Sequence, residues 1–271
     1  MLHVQAVTTL DLPELAPYRT MRRQLEHREQ GIFVAEGEKV VRRLLESSLT
    51  VVSLLLPERW RREYEPLLKA RPGGIHVYVA EKAVLEALTG FSMYQGVLAI
   101  GKVPPAPVLE CVLRASPRPR LFVAVDGLSN AENLGALVRN CGAFGVQALL
   151  VNNTSSSPFL RRAVRSSMGV IFRLPVLEGL ELPETMSRLR AAGIRCIAAQ
   201  PHALERALAE TDLQHDCCIV FGSEGSGISG EVLAACSESA AIPMASGVDS
   251  LNVASASAVF LYEAWRQRGK N

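Results

Sequence analysis

Apolar and polar positions along the first hundred residues alternate between two periods. Short, nearly continuous apolar runs are typical of buried strands, and the stretches between them repeat apolar residues every three or four positions, as amphipathic helices do. Val40, Val41, Leu44 and Leu45, for example, fall on one face of a helix that follows the first run. The predicted strands of this half are residues 31–36 (GIFVAE), 50–56 (TVVSLLL), 75–80 (IHVYVA) and 96–101 (GVLAIG).

The second half of the chain shows the same alternation more clearly. Its apolar runs contain few polar residues, which is typical of a parallel sheet covered by helices on both faces. The sequence therefore predicts an α/β fold. The predicted strands of this half are residues 121–125 (LFVAV), 148–151 (ALLV), 194–199 (IRCIAA) and 217–221 (CCIVF).

A proline-rich stretch separates the two halves. Residues 104–119 hold five prolines around one short helical turn, a composition typical of linkers. We therefore predict a first domain at residues 1–103, a linker at residues 104–119 and a second domain at residues 120–271.

Arginines gather on two predicted helices. The first helix covers residues 18–28, and the second is predicted to be capped by Ser157 and to begin at Pro158. Such arginines either form a solvated helix face or contact phosphates, and the pattern leaves both open. They are Arg19, Arg22, Arg23 and Arg28 on the first helix, and Arg161, Arg162 and Arg165 on the second. We expect six of them, all except Arg28, to bind RNA.

Composition adds limits rather than a function. The 271 residues are 48% hydrophobic and 21% charged, which indicates a folded protein, and the net charge of +2 neither requires nor excludes a nucleic-acid partner. Residues 1–15 lack the basic and apolar regions of a secretory leader, and no run is long and apolar enough to span a membrane. The six cysteines show no metal-site spacing. We expect a soluble cytoplasmic protein with reduced thiols and no metal.

Three segments rich in Gly, Asn and Ser follow predicted strands of the second half. Ligands of open α/β sheets bind outside the carboxyl ends of the strands, so these segments are the candidate site. The first runs from Asp126 to Gly145, the second from Cys218 to Leu233, and the third from Ala241 to Trp265. In the third, a polar loop leads into a helix lined with small residues.

The second segment contains a formal G-x-G-x-x-G at Gly225, Gly227 and Gly230, which raises the alternative of a nucleotide-dependent oxidoreductase. Glu224 lies where a pyrophosphate needs a neutral or cationic environment, and Pro243 interrupts the next apolar run. A glycine-rich loop with a carboxylate better suits a cofactor that carries hydroxyls and a positive charge.

Taken together, the three segments resemble the motifs of the SpoU (TrmH-like) family of RNA ribose methyltransferases, within the SPOUT superfamily. The order and spacing of the motifs match the family, and residues 31–45 resemble its N-terminal, ribosomal-protein-like substrate-binding domain more loosely. The motif residues are Asn133, Gly135 and Arg139; Gly222, Glu224, Gly225 and Gly227; and Ile242, Pro243 and Met244 followed by Ser250, Leu251, Asn252 and Val253.

The resemblance implies a trefoil-knotted C-terminal domain that binds S-adenosyl-L-methionine, a homodimer, and 2′-O-methylation of structured RNA. It implies that ribosomal RNA is a more common substrate than transfer RNA for two-domain members. It assigns the cofactor to Gly222, Ile242, Met244 and Leu251, and RNA binding to the N-terminal domain.

The resemblance also marks Arg139 as catalytic. A guanidinium stays protonated, so we expect Arg139 to bind an RNA phosphate rather than to act as a base. Asn133, Ser250 and Asn252 would position ribose and cofactor, and Glu224 would brace the loops. The remaining alternative is a non-catalytic RNA-binding protein, which the intact motif set argues against.

Overall fold

Two structural units make up the chain in the computed structural model, which describes residues 2–89, 96–201 and 206–269. The first unit comprises Met1–Pro105 and Phe159–Arg173, and the second comprises Ala106–Pro158 and Leu174–Asn271. The chain therefore passes between the units at three places. The predicted boundary at residues 104–119 is the first of them, the chain returns to the first unit at Phe159, and it leaves that unit again after Arg173. Chain order alone does not indicate this excursion.

The first unit is a five-stranded mixed sheet with the order β1-β4-β3-β5-β2. β1, β4 and β3 are parallel, and β5 pairs antiparallel with both β3 and β2. The four predicted strands are all present. The elements are β1 (Leu2–Ala6), α1 (Ala16–Arg19), α2 (Gln24–Glu29), β2 (Ile32–Glu36), α3 (Glu38–Leu45), β3 (Val51–Leu56), α4 (Glu58–Ala70), β4 (Ile75–Val79), α5 (Lys82–Thr89), β5 (Leu98–Lys102) and α8 (Arg161–Ser166).

The arginine-rich helix predicted at residues 18–28 is two short helices instead. α1 ends at Arg19 and α2 begins at Gln24, so Arg22 and Arg23 lie in the turn between them. Arg23 has backbone angles of φ −92° and ψ 84°, outside the helical region. Thr20 contacts the ring of His27 across this break at 3.1 Å. The break is stabilised by a side-chain contact across the turn, and the periodicity of the sequence does not indicate such a contact.

The returning segment Phe159–Arg173 packs on β2 within the first unit. The ring of Phe33 lies between Phe159 and Phe172, with centroids 5.6 and 5.4 Å away, and all three side chains are buried. α8 begins at Arg161 with Leu160 at its N-cap, so the predicted start at Pro158 with Ser157 as the cap was wrong. The aromatic packing of Phe159 fixes the chain just before the helix.

The second unit is a six-stranded sheet with the order β11-β9-β10-β6-β7-β8, and every strand pair is parallel. This confirms the predicted α/β class. Its elements are α6 (Leu109–Ala115), β6 (Leu121–Asp126), α7 (Ala131–Ala143), β7 (Ala148–Asn152), β8 (Val176–Leu180), α9 (Leu182–Ala191), β9 (Arg195–Ala199), β10 (Cys217–Gly222), α10 (Gly230–Ala235), β11 (Glu238–Ala240) and α11 (Val253–Gln267).

Three strands were not predicted, and all three are at sheet edges. β1 is largely exposed, β8 is exposed towards its end, and β11 has three residues. An edge strand with one solvated face lacks the continuous apolar run that marks the central strands. The predicted linker also contains α6, whose Leu109 and Val112 belong to the core of the second unit.

No helix in the described part of the chain is long and apolar enough to span a membrane.

Candidate active site

A cavity of about 590 Å³ opens in the second unit, beside the carboxyl ends of β9 and β10. Three stretches line it: residues 199–201 after β9, the glycine-rich loop after β10, and the loop that leads into α11. Two of the three predicted site segments therefore meet at one cavity. The lining residues are Ala199, Gln200, Pro201, Phe221, Gly222, Ser223, Glu224, Gly225, Ser226, Gly227, Ile228, Ile242, Met244, Asp249, Ser250, Leu251, Asn252, Val253, Ala256 and Phe260.

The loop after β10 closes on itself so tightly that its first residue must be glycine. A Cβ on Gly222 would lie 2.1 Å from the carbonyl carbon of Gly227 and 2.3 Å from the amide nitrogen of Ile228. Ser223 and Gly227 exchange two main-chain hydrogen bonds, 3.0 and 3.1 Å long. Gly227 has φ +69°, a left-handed conformation that side chains disfavour. The Gly-x-Glu-Gly-x-Gly spacing therefore builds a closed loop with one carboxylate, that of Glu224, on it.

The chemistry of the cavity suits a partly apolar, positively charged ligand. Phe221, Ile228 and Phe260 provide apolar walls, and among the residues that the structure describes only Glu224 and Asp249 line the cavity with ionisable side chains. No lysine or arginine is among the lining residues of the described chain, so a pyrophosphate would face carboxylates without a compensating cation. The residues present therefore fit an adenosine carrying a cationic amino-acid group better than a dinucleotide.

Three side chains from all three predicted segments form a hydrogen-bonded set at this site. Asn133, in the first turn of α7, donates from Nδ2 to Oε1 of Glu224 at 2.6 Å. Asn252 donates from Nδ2 to Oδ1 of Asn133 at 3.2 Å. These bonds assign the amide orientation of Asn133, with its nitrogen towards the carboxylate and its oxygen towards Asn252. The structure thus brings together three residues that the sequence spreads over 120 positions.

α7 and α11 each have an asparagine as their N-cap residue. Asn130 accepts hydrogen bonds from the amides of Glu132 and Asn133 and starts α7, while Asn252 accepts one from the amide of Ala254 and starts α11. Asn140 then ties the two helices together, because its Nδ2 donates to the carbonyl of Ala254 at 2.7 Å and to Ser257 Oγ at 2.9 Å. The small residues predicted on α11 thus serve a close helix contact as well as the cavity wall, which includes Ala256.

Arg139 lies on α7 with an exposed side chain. Within the described ranges it has no hydrogen bond or ion pair, so its guanidinium is available to a partner outside the chain. The cavity lining includes the four residues predicted to hold the cofactor and the predicted Ser250. The arginines predicted to bind RNA are not in this unit. All six belong to the first unit.

Several of the predicted RNA-binding arginines already have partners. Arg19 donates to the carbonyls of Leu10 and Leu12, and Arg23 pairs with Glu26 at 2.9 Å. Arg161 and Arg165 both bind the carboxylate of Glu36, whose side chain is 9% exposed. No sequence pattern indicates this last pairing, since Glu36 ends a strand 125 residues before Arg161. Arg162 is exposed and has no partner among the described residues.

Two polar residues beneath the site were missed. Asp126 and Asn152 end β6 and β7, are 5% and 8% exposed, and are hydrogen-bonded to each other at 2.5 Å. Their position at the ends of neighbouring apolar runs was the available signal.

Four of the six cysteines are buried, and Cys236 is partly buried. Burial raises the pKa of Cys196 to about 12 and of Cys236 to about 11, which disfavours the nucleophilic thiolate. Cys111 is the exception because it is exposed. No group of three or more metal-ligating side chains occurs in the portion of the chain that the structure describes.

Comparison with known proteins agrees with this geometry. The model of the SpoU rRNA Methylase family matches residues 120–262. An uncharacterized tRNA/rRNA methyltransferase of Mycobacterium tuberculosis is 33% identical over 274 residues, which cover 98% of this chain and 93% of the relative. An rRNA methyltransferase of Sinorhizobium meliloti, solved with AdoMet bound, superposes with a TM-score of 0.82 at 25% identity and covers 97% of this chain and 98% of its own.

A solved RNA 2′-O ribose methyltransferase also superposes along nearly the whole chain, with a TM-score of 0.80, 27% identity and coverage of 97% and 99%. The family model matches most of the second unit, which contains the cavity, and the relatives that align over nearly the whole chain extend the similarity to the first unit. The fold is that of SPOUT methyltransferases, and the chain belongs to the SpoU family of RNA methyltransferases.

Proposed function

We propose that this protein transfers a methyl group from S-adenosyl-L-methionine to a ribose 2′-hydroxyl of structured RNA. The observation that carries the proposal is the hydrogen-bonded set of Asn133, Glu224 and Asn252 beside a cavity with apolar walls and carboxylates. The similarity to a 2′-O ribose methyltransferase and to an AdoMet-bound rRNA methyltransferase supports both the reaction and the cofactor.

The cavity residues hold the cofactor in this proposal. When bound, S-adenosylmethionine supplies a methyl group activated by a positively charged sulfur. Main-chain groups around Gly222, Ile242 and Leu251 hold the adenosine part, and Met244 lines the same pocket. The carboxylates of Glu224 and Asp249 provide negative charge for a cationic ligand, and the apolar walls of the cavity keep water from the reacting atoms.

Arg139 orients the RNA. A guanidinium cannot accept a proton at neutral pH, but it can hold a phosphate by two parallel hydrogen bonds. We infer that Arg139 binds the phosphate next to the target ribose, and that this phosphate or a nearby side chain accepts the proton of the 2′-hydroxyl. Fixing the hydroxyl in this way can contribute several kcal/mol, up to about 7–11 in well-oriented intramolecular reactions. Asn133, Ser250 and Asn252 position the ribose and the cofactor.

The first unit is the RNA-binding domain of the proposal. Among its predicted arginines, Arg162 is the best candidate for phosphate contact, because it is exposed and has no described partner. Arg22 and Arg23 lie in the exposed turn between α1 and α2, and Arg23 would have to exchange Glu26 for a phosphate. Arg161 and Arg165 contribute less than their number suggests, since Glu36 already neutralises part of their charge.

We further infer a cytoplasmic homodimer. Val259 and Tyr262 on α11 are 40% and 51% exposed, and Tyr262 is in ring contact with Phe144 and Trp265. Exposed apolar residues on one helix favour a protein–protein contact. We favour ribosomal RNA as the substrate because the matching family model and the Sinorhizobium meliloti structure are named for rRNA methylation. Transfer RNA is the alternative because the Mycobacterium relative is named a tRNA/rRNA methyltransferase.

The test is methyl transfer from labelled S-adenosylmethionine to ribosomal and transfer RNA, followed by nucleoside analysis. We expect a 2′-O-methylated nucleoside in the ribosomal fraction, and none with Arg139→Ala. A methylated base would overturn the 2′-O assignment, and label in transfer RNA alone would overturn the ribosomal preference. Stabilisation by a nicotinamide dinucleotide but not by S-adenosylmethionine would contradict the cofactor assignment.

A further inference from the structure

Asp126 lies beside the first residue of the glycine-rich loop, and its carboxylate is hydrogen-bonded to the last. Asp126 is the last residue of β6 and pairs in register with Gly222, the last residue of β10, where the loop begins. Its Oδ2 accepts a hydrogen bond of 2.7 Å from the amide of Ser229, where the loop ends. One buried residue therefore contacts both ends of the loop that carries Glu224.

The other carboxylate oxygen connects to the first site segment. Oδ1 of Asp126 accepts from Asn152 Nδ2 at 2.5 Å, and Oδ1 of Asn152 accepts from the amide of Gly127 at 3.2 Å. Ser155 Oγ donates to the same oxygen of Asn152 and accepts from the amide of Leu128. These bonds fix the turn that leads to Asn130 and hence to the start of α7, where Asn133 lies.

We propose that Asp126 is a positioning residue of the methyltransferase site, which sets the glycine-rich loop and the start of α7 relative to each other so that Glu224 meets Asn133. The proposal rests on the function proposed above, because it takes S-adenosylmethionine as the ligand of the site. Asp126 is not among the residues that line the cavity, so it acts through the two segments it joins.

An amide cannot replace this carboxylate. Both oxygens of Asp126 accept hydrogen bonds, so the NH₂ group of an asparagine would face either the amide of Ser229 or the NH₂ group of Asn152. Rotating Asn152 does not relieve the conflict, because its own oxygen already accepts from Gly127 and Ser155. Asp126→Asn therefore breaks one of the two connections in a buried place.

Asp216 supplies a matched control. It is 8% exposed, and its Oδ1 accepts from the amide of Arg120 at 2.9 Å while Oδ2 pairs with the guanidinium of Arg120 at 3.2 Å. It lies just before β10, at the end of the sheet opposite to the loop. Asp216→Asn thus removes a comparable buried carboxylate from the same sheet without affecting the cavity.

The experiment compares three full-length variants with the wild type by melting temperature, by calorimetric affinity for S-adenosylmethionine, and by kcat and RNA KM. The third variant is Ser229→Pro, which deletes the amide that Asp126 bonds; Ser229 has φ −62°, an angle proline adopts, and its side chain makes no cap bond. We expect Asp126→Asn and Ser229→Pro to raise the cofactor Kd about tenfold and lower kcat with little change in RNA KM. Asp216→Asn should lower the melting temperature and leave Kd and kcat within about twofold.

The outcomes separate the two proposals. If the wild type binds no S-adenosylmethionine, the proposed function fails. Suppose the wild type binds S-adenosylmethionine. The positioning role is then overturned if Asp126→Asn and Ser229→Pro both keep the wild-type Kd and kcat, or if Asp216→Asn changes these values as much as they do. Should Asp126→Asn fail to fold, Ser229→Pro decides the question alone, because it leaves the carboxylate and Asn152 untouched.

Discussion

Asn133 donates a hydrogen bond of 2.6 Å to the carboxylate of Glu224, although 91 positions separate them in the chain. The bond joins the first turn of α7 to the glycine-rich loop after β10. It fixes the asparagine so that its oxygen faces Asn252, the residue that caps α11. One amide group therefore connects the three segments of the site.

This connection predicts non-additive substitutions. Asn133→Ala and Glu224→Ala should each lower kcat/KM strongly, while the double variant should be little worse than either single one, because each single change already breaks the bond. Glu224→Gln retains an oxygen that accepts from Asn133 and should be milder. Steady-state methylation assays on the four variants test this, and additive losses would mean that the residues act independently.

Replacement of Arg139 separates catalysis from cofactor binding. Because Arg139 is exposed and has no partner within the described ranges, Arg139→Ala should leave stability and cofactor affinity unchanged and lower kcat by at least about 10²-fold. Arg139→Lys should recover only part of the rate, since an ammonium cannot hold a phosphate by a planar fork. Calorimetry with S-adenosylmethionine supplies the control. A loss of cofactor affinity would contradict the proposed role.

The glycine-rich loop offers a matched pair of alanine substitutions. Gly222→Ala would place a methyl group 2.1 Å from the main chain of Gly227, so the loop must shift and cofactor binding should be lost. Gly225→Ala meets no atom within 4 Å and should retain near-normal binding. Equal loss of affinity in the two variants would show that the close approach at Gly222 is not what the loop requires.

Arg268 anchors the end of α11 and should matter for stability rather than for chemistry. Its guanidinium donates to the carbonyls of Pro119, Arg120, Leu213 and His215. Arg268→Ala removes the guanidinium donor from these four carbonyls, of which that of Arg120 keeps a hydrogen bond from the amide of Cys217. The substitution should lower the free energy of unfolding by about 2–4 kcal/mol. Arg266→Ala, two residues earlier, is the control. The side chain of Arg266 is 57% exposed, and its partner Glu263 keeps a hydrogen bond from Gln267 Nε2, so this substitution should change stability little. Denaturant unfolding followed by circular dichroism measures both.

The arginines of α8 should divide into structural and RNA-contacting residues. Arg161→Ala removes a partner of the buried carboxylate of Glu36 and should cost about 2 kcal/mol of stability. Arg162→Ala should leave stability unchanged, weaken RNA binding uniformly across sequences and lower the slope of log K against log salt by about 1. An unchanged salt slope for Arg162→Ala would exclude a phosphate contact there.

Much of this protein could be inferred from local pattern. The central strands β6, β7, β9 and β10 appear as continuous apolar runs because both their faces are buried, and this alone fixes the α/β class. The motif residues are spaced so that strand ends and helix starts carry them. The resemblance to the SpoU motifs, rather than the spacing alone, assigned the cofactor to Gly222, Ile242, Met244 and Leu251, and all four line one cavity.

Only the tertiary structure decided the pairings between distant segments. Four features of the structure leave no periodic pattern in the sequence. They are the partners of Glu36, the return of Phe159–Arg173 to the first unit, the break between α1 and α2, and the buried pair of Asp126 and Asn152. Periodicity records which face of an element is buried, whereas a hydrogen bond between side chains 26 to 129 positions apart depends on how the elements pack. The sequence thus determined the elements and the chemistry available to them, and the packing determined which of those groups meet.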